Sequence, residues 1–167
     1  MKKILLTLTI LCSLLCFSQD KTTQNTNAIN LVLDNWHQAA SNAQFEAYFN
    51  ALDKESVFIG TDATENWNKA EFMSYAKPYF DKGKAWSFTP LQRNIYFSND
   101  FKTAWFDELL DTQMKICRGS GVLVNVKGNW KIKQYVLSTT IPNENMGSVI
   151  KIKAPIEDAL METMKKQ

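Results

Sequence analysis

The sequence has 167 residues, a suitable length for one domain. Hydrophobic residues make up 45% of it, which is enough to build a packed core. The formal net charge is +2, and this excess disappears when the lysines at positions 2 and 3 are left out, so we expect no nucleic-acid partner and no attraction to an anionic membrane surface.

Residues 1–18 have the features of a secretory signal peptide. Two lysines near the start precede an almost unbroken apolar run. Cys16 and Ser18 are small residues at the −3 and −1 positions of a cut after Ser18. The apolar run is short for a membrane span, so we expect export to the periplasm or the medium, with no stable membrane insertion after cleavage. The alternatives are an uncleaved anchor and a lipoprotein attached through Cys16, although Leu15 before it is bulky for a lipoprotein.

The next part of the chain indicates a tether followed by two helices. Residues 19–26 are polar and rich in threonine and asparagine, so we expect a flexible N-terminal tether. Apolar residues then recur at helical spacing in two segments, first at Ile29, Val32, Leu33, Trp36 and Ala40, and then at Phe45, Tyr48, Phe49 and Leu52.

A strand and a third helix follow. The β-branched run over residues 57–61 indicates a short strand. Asn68 and Glu71 have the spacing of a capping box, in which each side chain bonds the other residue's backbone, so they predict a helix start. Gly83 is placed to end this helix. Its apolar stripe consists of Phe72, Tyr75, Ala76, Tyr79 and Phe80.

From Trp86 onward the hydrophobic period changes to two, which indicates strands. Closely spaced strands favour an antiparallel meander. Gly119 and Gly121 are expected to flank a turn or bulge, and Pro155 suits the first turn of a closing helix. The four strand runs are residues 86–98, 103–116, 120–127 and 129–140.

This order of elements predicts an α+β fold. A strongly curved antiparallel sheet wrapped around the N-terminal helices would bury their apolar stripes and leave a cleft at its open end. In the last strand, Trp130, Ile132 and Val136 alternate with Tyr135 and Leu137, so both faces of the sheet need cover. We therefore expect the helices on one face and a second subunit on the other, giving a homodimer.

Several short motifs resemble those of one superfamily. They are WH at 36–37, GTDATENW at 60–67, AWFDELL at 104–110, CRGSGVL at 117–123, NWKIKQYVLS at 129–138 and IPN at 141–143. In this order and spacing the chain resembles the SnoaL-like families of the nuclear transport factor 2-like superfamily, which also contains ketosteroid isomerases and polyketide cyclases. The resemblance covers residues 27–143, assigned as one SnoaL-like domain, and leaves 144–167 as a C-terminal extension with a helix.

The resemblance implies a cone-shaped fold with a pocket between the helices and the concave face of the sheet. It also implies frequent dimerisation through the sheet. It does not imply one activity, because members bind ligands, isomerise, cyclise, dehydrate or assemble other domains.

Two pairs of acids could carry chemistry. Asp62 and Glu65 are three residues apart at the start of a helix, where close carboxylates can divide into an acid and a base, or can simply cap the helix. Asp107 and Glu108 are neighbours on a strand and must point to opposite faces. Asp62, Glu65 and Glu108 are the candidates for a general base.

Arginine occurs only at positions 93 and 118, in or beside strand runs. A guanidinium that points inward needs an acid or an anion to receive it. We predict that Arg93 and Glu108 lie at concave-facing positions of neighbouring strands and contact each other or a ligand. A buried ion pair that fixes sheet register would use the same two residues.

The remaining ligand-binding candidates are aromatic or titratable. His37 could exchange hydrogen bonds with a ligand, although a lone helical histidine is more often a packing residue. The sequence has more large aromatic residues than a minimal core requires, and some could line a cavity. No spacing typical of a metal site or of a cofactor motif occurs, so we expect neither. The predicted ligand-binding set is His37, Trp67, Arg93, Trp105, Glu108 and Tyr135.

These observations favour three functions in order. The first is an exported protein that binds a small apolar or aromatic molecule in a conical pocket. The second is an isomerase, cyclase or dehydratase that uses a pocket carboxylate as base. The third is a dimeric scaffold with a vestigial pocket.

Overall fold

The computed structural model of the chain describes the backbone of residues 2–166 and the side chains of residues 21–166. The signal peptide predicted for residues 1–18 lies outside the residues whose side chains are described. Within the described part of the chain, no helix is both long enough and apolar enough to span a membrane.

Helices precede the main run of strands, and one further helix follows it. The elements in chain order are α1 (Lys2–Ser41), α2 (Phe45–Asn50), β1 (Leu52–Ile59), β2 (Asn66–Asn68), α3 (Lys69–Asp81), β3 (Thr89–Phe97), β4 (Thr103–Thr112), β5 (Lys115–Val126), β6 (Asn129–Thr139), the 3-10 turn η1 (Asn143–Asn145) and α4 (Met146–Met164).

The strands form one curved, unclosed sheet in the order β2-β1-β6-β5-β4-β3. Neighbouring strands are antiparallel except β1 and β6, which are parallel. The helices α1, α2 and α3 pack against this sheet, which confirms the predicted α+β, cone-shaped class. The core between the two layers contains the predicted stripe of α1, in which Ile29, Leu33, Trp36 and Ala40 are buried.

The start of α3 is formed by the predicted capping box. The side-chain oxygen of Asn68 accepts a hydrogen bond from the Glu71 backbone at 3.1 Å, and the Asn68 backbone donates to Glu71 Oε2 at 2.9 Å. Both interactions satisfy groups that a helix start leaves free. The helix ends at Asp81, close to Gly83, whose φ of 75° suits glycine.

Residues 21–26, expected to be part of a flexible tether, are helical and continue α1. Trp130 Nε1 donates to Asn25 Oδ1 at 3.1 Å, and the Lys21 ammonium lies 4.6 Å from the centre of the Phe101 ring. The expectation of a flexible tether is therefore wrong for residues 21–26, because Lys21 and Asn25 contact residues at the rim of the sheet.

Strand β5 begins earlier than predicted. The turn between β4 and β5 lies at Gln113 and Met114, not around Gly119. Gly119 and Gly121 lie inside β5, where a side chain would collide with Tyr135 and Phe106, respectively. These glycines serve close packing across the sheet rather than a turn.

Strand β6 contains an irregularity that changes which residues face the core. Val122 pairs with Gln134 and the next residue of β5 pairs with Ile132, so Lys133 is an extra residue in β6. As a result Trp130, Ile132, Tyr135 and Leu137 are all buried on the same side, and the predicted alternation of this strand is wrong.

The closing helix also differs from the prediction. Helix α4 begins at Met146, well before Pro155, which lies inside the helix instead of in its first turn. A proline removes one backbone hydrogen bond from a helix. None of the residues of α4 is buried, so water can bind the carbonyl group that is left free.

Candidate functional site

Arg93 and Glu108 form an ion pair inside the cone. They are direct register partners on β3 and β4. Arg93 Nε donates to Glu108 Oε2 at 2.9 Å, and Arg93 Nη2 lies 2.8 Å from the same oxygen, although only Nε has hydrogen-bond geometry. The Glu108 side chain is fully buried and that of Arg93 is 8% exposed. The predicted contact between these residues is confirmed.

The second oxygen of Glu108 is bound by two groups from distant parts of the chain. His37 Nε2, on α1, lies 2.8 Å from Oε1, and the Tyr135 hydroxyl, on β6, donates to the same atom at 3.1 Å. Because an ionised carboxylate can only accept, His37 carries its proton on Nε2. Each oxygen of this buried acid is therefore paired.

The arginine is held on its other side by α1. Arg93 Nη1 donates to Asn30 Oδ1 at 3.0 Å and to Asp34 Oδ1 at 2.9 Å. Asn30 and Asp34 are four residues apart, and His37 follows three residues later, so all three share one face of the helix. We call Asn30, Asp34, His37, Arg93, Glu108 and Tyr135 the Glu108 cluster.

The surroundings shift the pKa of Glu108 and that of Tyr135 in opposite directions. Burial by itself would raise the pKa of Glu108, but the hydrogen bond and charge of His37, together with Arg93, outweigh it and hold the pKa below its usual value. Burial, followed by the negative charge of Glu108, raises the pKa of Tyr135 well above its usual value. The cluster therefore combines an ionised carboxylate with a protonated phenol.

The cluster is closely packed. The Tyr135 ring meets Trp36 edge-on at 4.7 Å between centroids, and a side chain on Gly119 would overlap the Tyr135 hydroxyl and crowd Glu108. Within the Glu108 cluster, His37 and Asp34 also line a polar surface cleft of about 230 Å³. The geometry of the cluster is that of a fixed internal support that joins α1, β3, β4 and β6.

A separate aromatic pocket lies between β1, β2, α3 and the segment that leads into β3. Its volume is about 190 Å³. Three rings form one continuous wall, with Trp67 stacked on Tyr75 at 4.4 Å between centroids and nearly parallel to Phe72 at 5.8 Å. The pocket lining also includes Phe58, Trp86, Phe88, Thr61, Glu65, Gln113, Met114 and Leu137.

Glu65 supplies a carboxylate to this pocket. Its Oε2 accepts from the Asp62 backbone at 3.2 Å, while its Oε1 has no hydrogen-bond partner among the described residues. Tyr75 lines the same pocket. Burial, then contact with Tyr79, then the charge of Glu65, raise the pKa of Tyr75 to about 12.

Asp62 lies in the exposed turn before β2. Its carboxylate accepts from the Thr64 hydroxyl at 2.6 Å and from the Thr64 backbone at 2.9 Å. These bonds lower the pKa of Asp62, and they occupy one of its oxygens in shaping the turn. Asp62 therefore has a local structural role, which was one of the two alternatives predicted for it. It shapes a turn, however, and does not cap a helix.

The predicted site residues therefore separate into four places, one of which is the exposed turn that contains Asp62. His37, Arg93, Glu108 and Tyr135 meet in the Glu108 cluster, while Trp67 and Glu65 meet in the aromatic pocket. Trp105 lies elsewhere: it is 46% exposed on the outer face of the sheet, stacked on Tyr96. Its assignment to the pocket is wrong because it alternates with the inward-facing Phe106.

Sequence reasoning missed several pocket and cluster residues. Tyr75 and Phe72 belong to the predicted stripe of α3 and Trp86 to the predicted start of a strand, but none of the three is in the predicted ligand-binding set. Asn30 and Asp34 were not considered. The helical spacing that relates them to His37 was the signal that could have found them.

Among the residues with described side chains, no three His, Cys, Asp or Glu side chains are grouped so that they could hold a metal ion.

The family model of the SnoaL-like domain matches residues 29–142. The chain belongs to the SnoaL-like domain family. No curated protein matches the sequence of this SnoaL-like chain.

Several solved structures similar to this SnoaL-like protein are described as nuclear transport factor 2-like. A protein of unknown function from Pseudomonas putida KT2440 is 13% identical, with a TM-score of 0.61, covering 74% of this chain and 92% of the other. A candidate dehydratase from Streptomyces avermitilis is 10% identical, with a TM-score of 0.62, covering 72% and 99%. A protein from Cytophaga hutchinsonii is 17% identical, with a TM-score of 0.58, covering 69% and 98%. At these identities the likeness shows the fold alone.

Proposed function

We propose that this SnoaL-like protein binds a small aromatic molecule in the aromatic pocket, in the periplasm or outside the cell. One observation carries the proposal: a wall of nearly parallel rings stands beside a carboxylate that keeps one oxygen free. Aromatic faces bind flat apolar molecules by stacking, and a few polar groups fix their orientation.

The size of the pocket limits the ligand. Its volume of about 190 Å³ is below that of most sites for drug-sized molecules. An apolar cavity of about 150 Å³ accommodates benzene. The ligand class is therefore a single ring, and the free oxygen of Glu65 favours one that bears a hydrogen-bond donor, such as an amine or a hydroxyl group.

Tryptophan fluorescence with a panel of single-ring compounds tests this function. Toluene, phenol, benzoate and benzylamine differ in charge and in donor capacity while they share one ring. We expect phenol and benzylamine to bind more tightly than benzoate, because the carboxylate of Glu65 repels an anion. Trp67→Ala should weaken binding at least about tenfold, the loss of one ring contact plus its buried area.

Trp105→Ala is the matched control, because Trp105 lies on the outer face of the sheet and should leave the affinity unchanged. Glu65→Gln should weaken the binding of benzylamine and leave the binding of toluene unchanged. Failure of all four compounds to bind below about 1 mM, or equal effects of the two tryptophan variants, would contradict the proposed site.

A second candidate function is proton transfer on the bound ring. It is favoured by the presence of both Glu65 and Tyr75 in the pocket lining, where the pKa of about 12 keeps the Tyr75 phenol protonated as a donor and Glu65 supplies a carboxylate base. The name of the Streptomyces candidate dehydratase is compatible with such chemistry on this fold. Deuterium exchange next to the carbonyl of cyclohexanone in D₂O should be faster with the wild type than with Glu65→Gln, and equal rates would exclude this function.

Export is the remaining part of the proposal. It rests on the basic start, the apolar run and the small residues Cys16 and Ser18. The intact mass of protein recovered from the periplasm or the medium should correspond to cleavage after Ser18. A mass that retains residues 1–18 would contradict it.

A further inference from the structure

Helix α4 presents an unusually wide apolar surface that the described part of the chain leaves open. None of its residues is buried, and among the other elements it packs closely only with η1. Ile152 and Ile156 are each 74% exposed and Ile150 is 58% exposed. Isoleucines exposed to this extent on one helix mark an interaction surface.

The apolar residues of α4 lie on one side of the helix. At about 100° per residue they cover more than half of its circumference, and Pro155 lies on the opposite side. The surface continues onto Ile141, which borders a groove of about 310 Å³. We call this surface the α4 stripe, and its members are Met146, Val149, Ile150, Ile152, Ala154, Ile156, Leu160, Met161 and Met164.

Two charged residues interrupt the stripe at its centre. Lys153 Nζ and Glu157 Oε1 are 2.8 Å apart within the helix, and each side chain is 40–50% exposed. A charge pair in the middle of an apolar surface opposes insertion into lipid, where charges are expensive. It also favours one kind of partner, a surface with opposite charges at the same two positions, since like charges there would be repelled.

A second copy of α4 provides them. Two copies of α4 can run antiparallel about a two-fold axis that crosses the stripe at the level of residue 155 along the helix. In this arrangement Lys153 faces Glu157 of the other copy. In the same register Ile150 faces Leu160, Val149 faces Met161 and Met146 faces Met164, so apolar residues meet apolar residues along most of the stripe, and Ile152 is the member that lies opposite a charge, at Asp158. The surface is thus self-complementary in both charge and hydrophobicity, as a two-fold interface requires.

We propose that the α4 stripe is a self-association surface, through which two copies of this chain join as an antiparallel helix pair. The helix is about 28 Å long at 1.5 Å per residue, so the contact is smaller than a standard interface and its affinity is in the micromolar range. This surface is separate from the outer face of the sheet, where the sequence predicted a dimer contact.

Charge-swap variants of the full chain test the pair. Lys153→Glu places glutamate opposite glutamate in the pair, and Glu157→Lys places lysine opposite lysine. By light scattering at about 50 μM, each variant should have a mass well below that of the wild type, because like charges at the contact weaken association at least about tenfold. An equimolar mixture of the two variants restores opposite charges between copies and should recover the wild-type mass.

The mixture separates this interface from an effect inside one helix. Each single variant loses its own Lys153–Glu157 contact, and mixing cannot restore that contact within a chain. Glu162→Lys is the matched control, with the same charge change on the opposite side of α4, and it should keep the wild-type mass. Unchanged thermal melts show that the variants fold, because α4 contributes no buried residue.

Three results would overturn the proposal. The wild type could have the mass of one chain at 50 μM, in which case the stripe has another partner. The mass could fall with Trp105→Asp but not with Lys153→Glu, which would assign association to the sheet. Finally, the wild type could be monomeric and sediment with phospholipid vesicles, which would make α4 a membrane-surface helix.

Discussion

The Glu108 cluster and the aromatic pocket lie in the same cone but differ in how their polar groups are satisfied. In the cluster both oxygens of Glu108 are occupied by protein donors, and the carboxylate is fully buried. In the pocket Glu65 keeps one oxygen free among the aromatic rings of the lining. A charge whose partners are complete supports the fold, whereas a charge with an open position can receive a ligand.

The largest expected effect separates the two carboxylates by stability. Glu108→Ala leaves Arg93 charged and largely buried and removes the acceptor for His37 and Tyr135. It should lower the free energy of unfolding by about 3–5 kcal/mol. Glu65→Ala, as the matched control, should change it by less than about 0.5 kcal/mol, because that side chain lies at the rim of a pocket.

Urea unfolding of both variants, with Arg93→Ala and the Arg93→Ala/Glu108→Ala double variant, measures the difference. The double variant should lose less free energy of unfolding than the two single variants lose in sum, because each single variant already breaks the same ion pair. Strictly additive losses below 1 kcal/mol would mean that the cluster does not support the fold. If Glu108→Ala instead abolished ring binding with little loss of stability, the ligand site would have to move to the cluster.

The second effect concerns the space beside Glu108. In Gly119→Ala the new methyl group collides with the Tyr135 hydroxyl and crowds the Glu108 side chain, so the cluster must shift. Overpacking of this kind should cost about 1–3 kcal/mol. Gly147→Ala, where an added methyl group meets nothing within 4 Å, is the control and should be neutral or slightly stabilising.

Thermal melts of the two glycine variants provide the comparison. A Gly119→Ala protein as stable as the Gly147→Ala protein would show that the cluster has room to adjust, and that it is less rigid than the contacts around Tyr135 indicate.

The smallest effect is the pH dependence of stability. The pKa of Glu108 is lower in the folded protein than in the unfolded chain, so its contribution is present above the unfolded value and is lost as the pH falls through the folded value. Glu108→Gln should therefore make the acid loss of stability shallower. Tyr135, whose pKa is raised, should cause a separate loss at alkaline pH, above its unfolded value.

Denaturant midpoints measured from about pH 3 to pH 7 test the acid side. Glu65→Gln removes the same ionisable group from the pocket and should follow the wild-type curve more closely than Glu108→Gln does. Parallel curves for the wild type and Glu108→Gln would show that the hydrogen bonds and charges around Glu108 do not lower its pKa.

The sequence by itself determined the apolar stripe of α1, the start of α3 and one contact of the site. The stripe of α1 and the capping box of α3 follow from helical periodicity and local hydrogen bonding, which depend on near neighbours in the chain. The pairing of Arg93 with Glu108 could also be predicted, because an inward arginine needs an acid and Glu108 lay on a suitable strand. The family was recognisable from the order and spacing of its motifs.

Only the tertiary structure decided which acids meet which partners. His37 and Tyr135 lie 71 and 27 residues from Glu108 in the chain, and their convergence depends on sheet curvature and register, which the periodicity of the strands does not encode. The extra residue at Lys133 turned Tyr135 towards the cluster and overruled simple alternation. Asp62 and Glu65 have similar sequence surroundings, yet the turn leaves Asp62 at the surface and brings Glu65 to the aromatic pocket. A few backbone torsions in the turn decide where each side chain points.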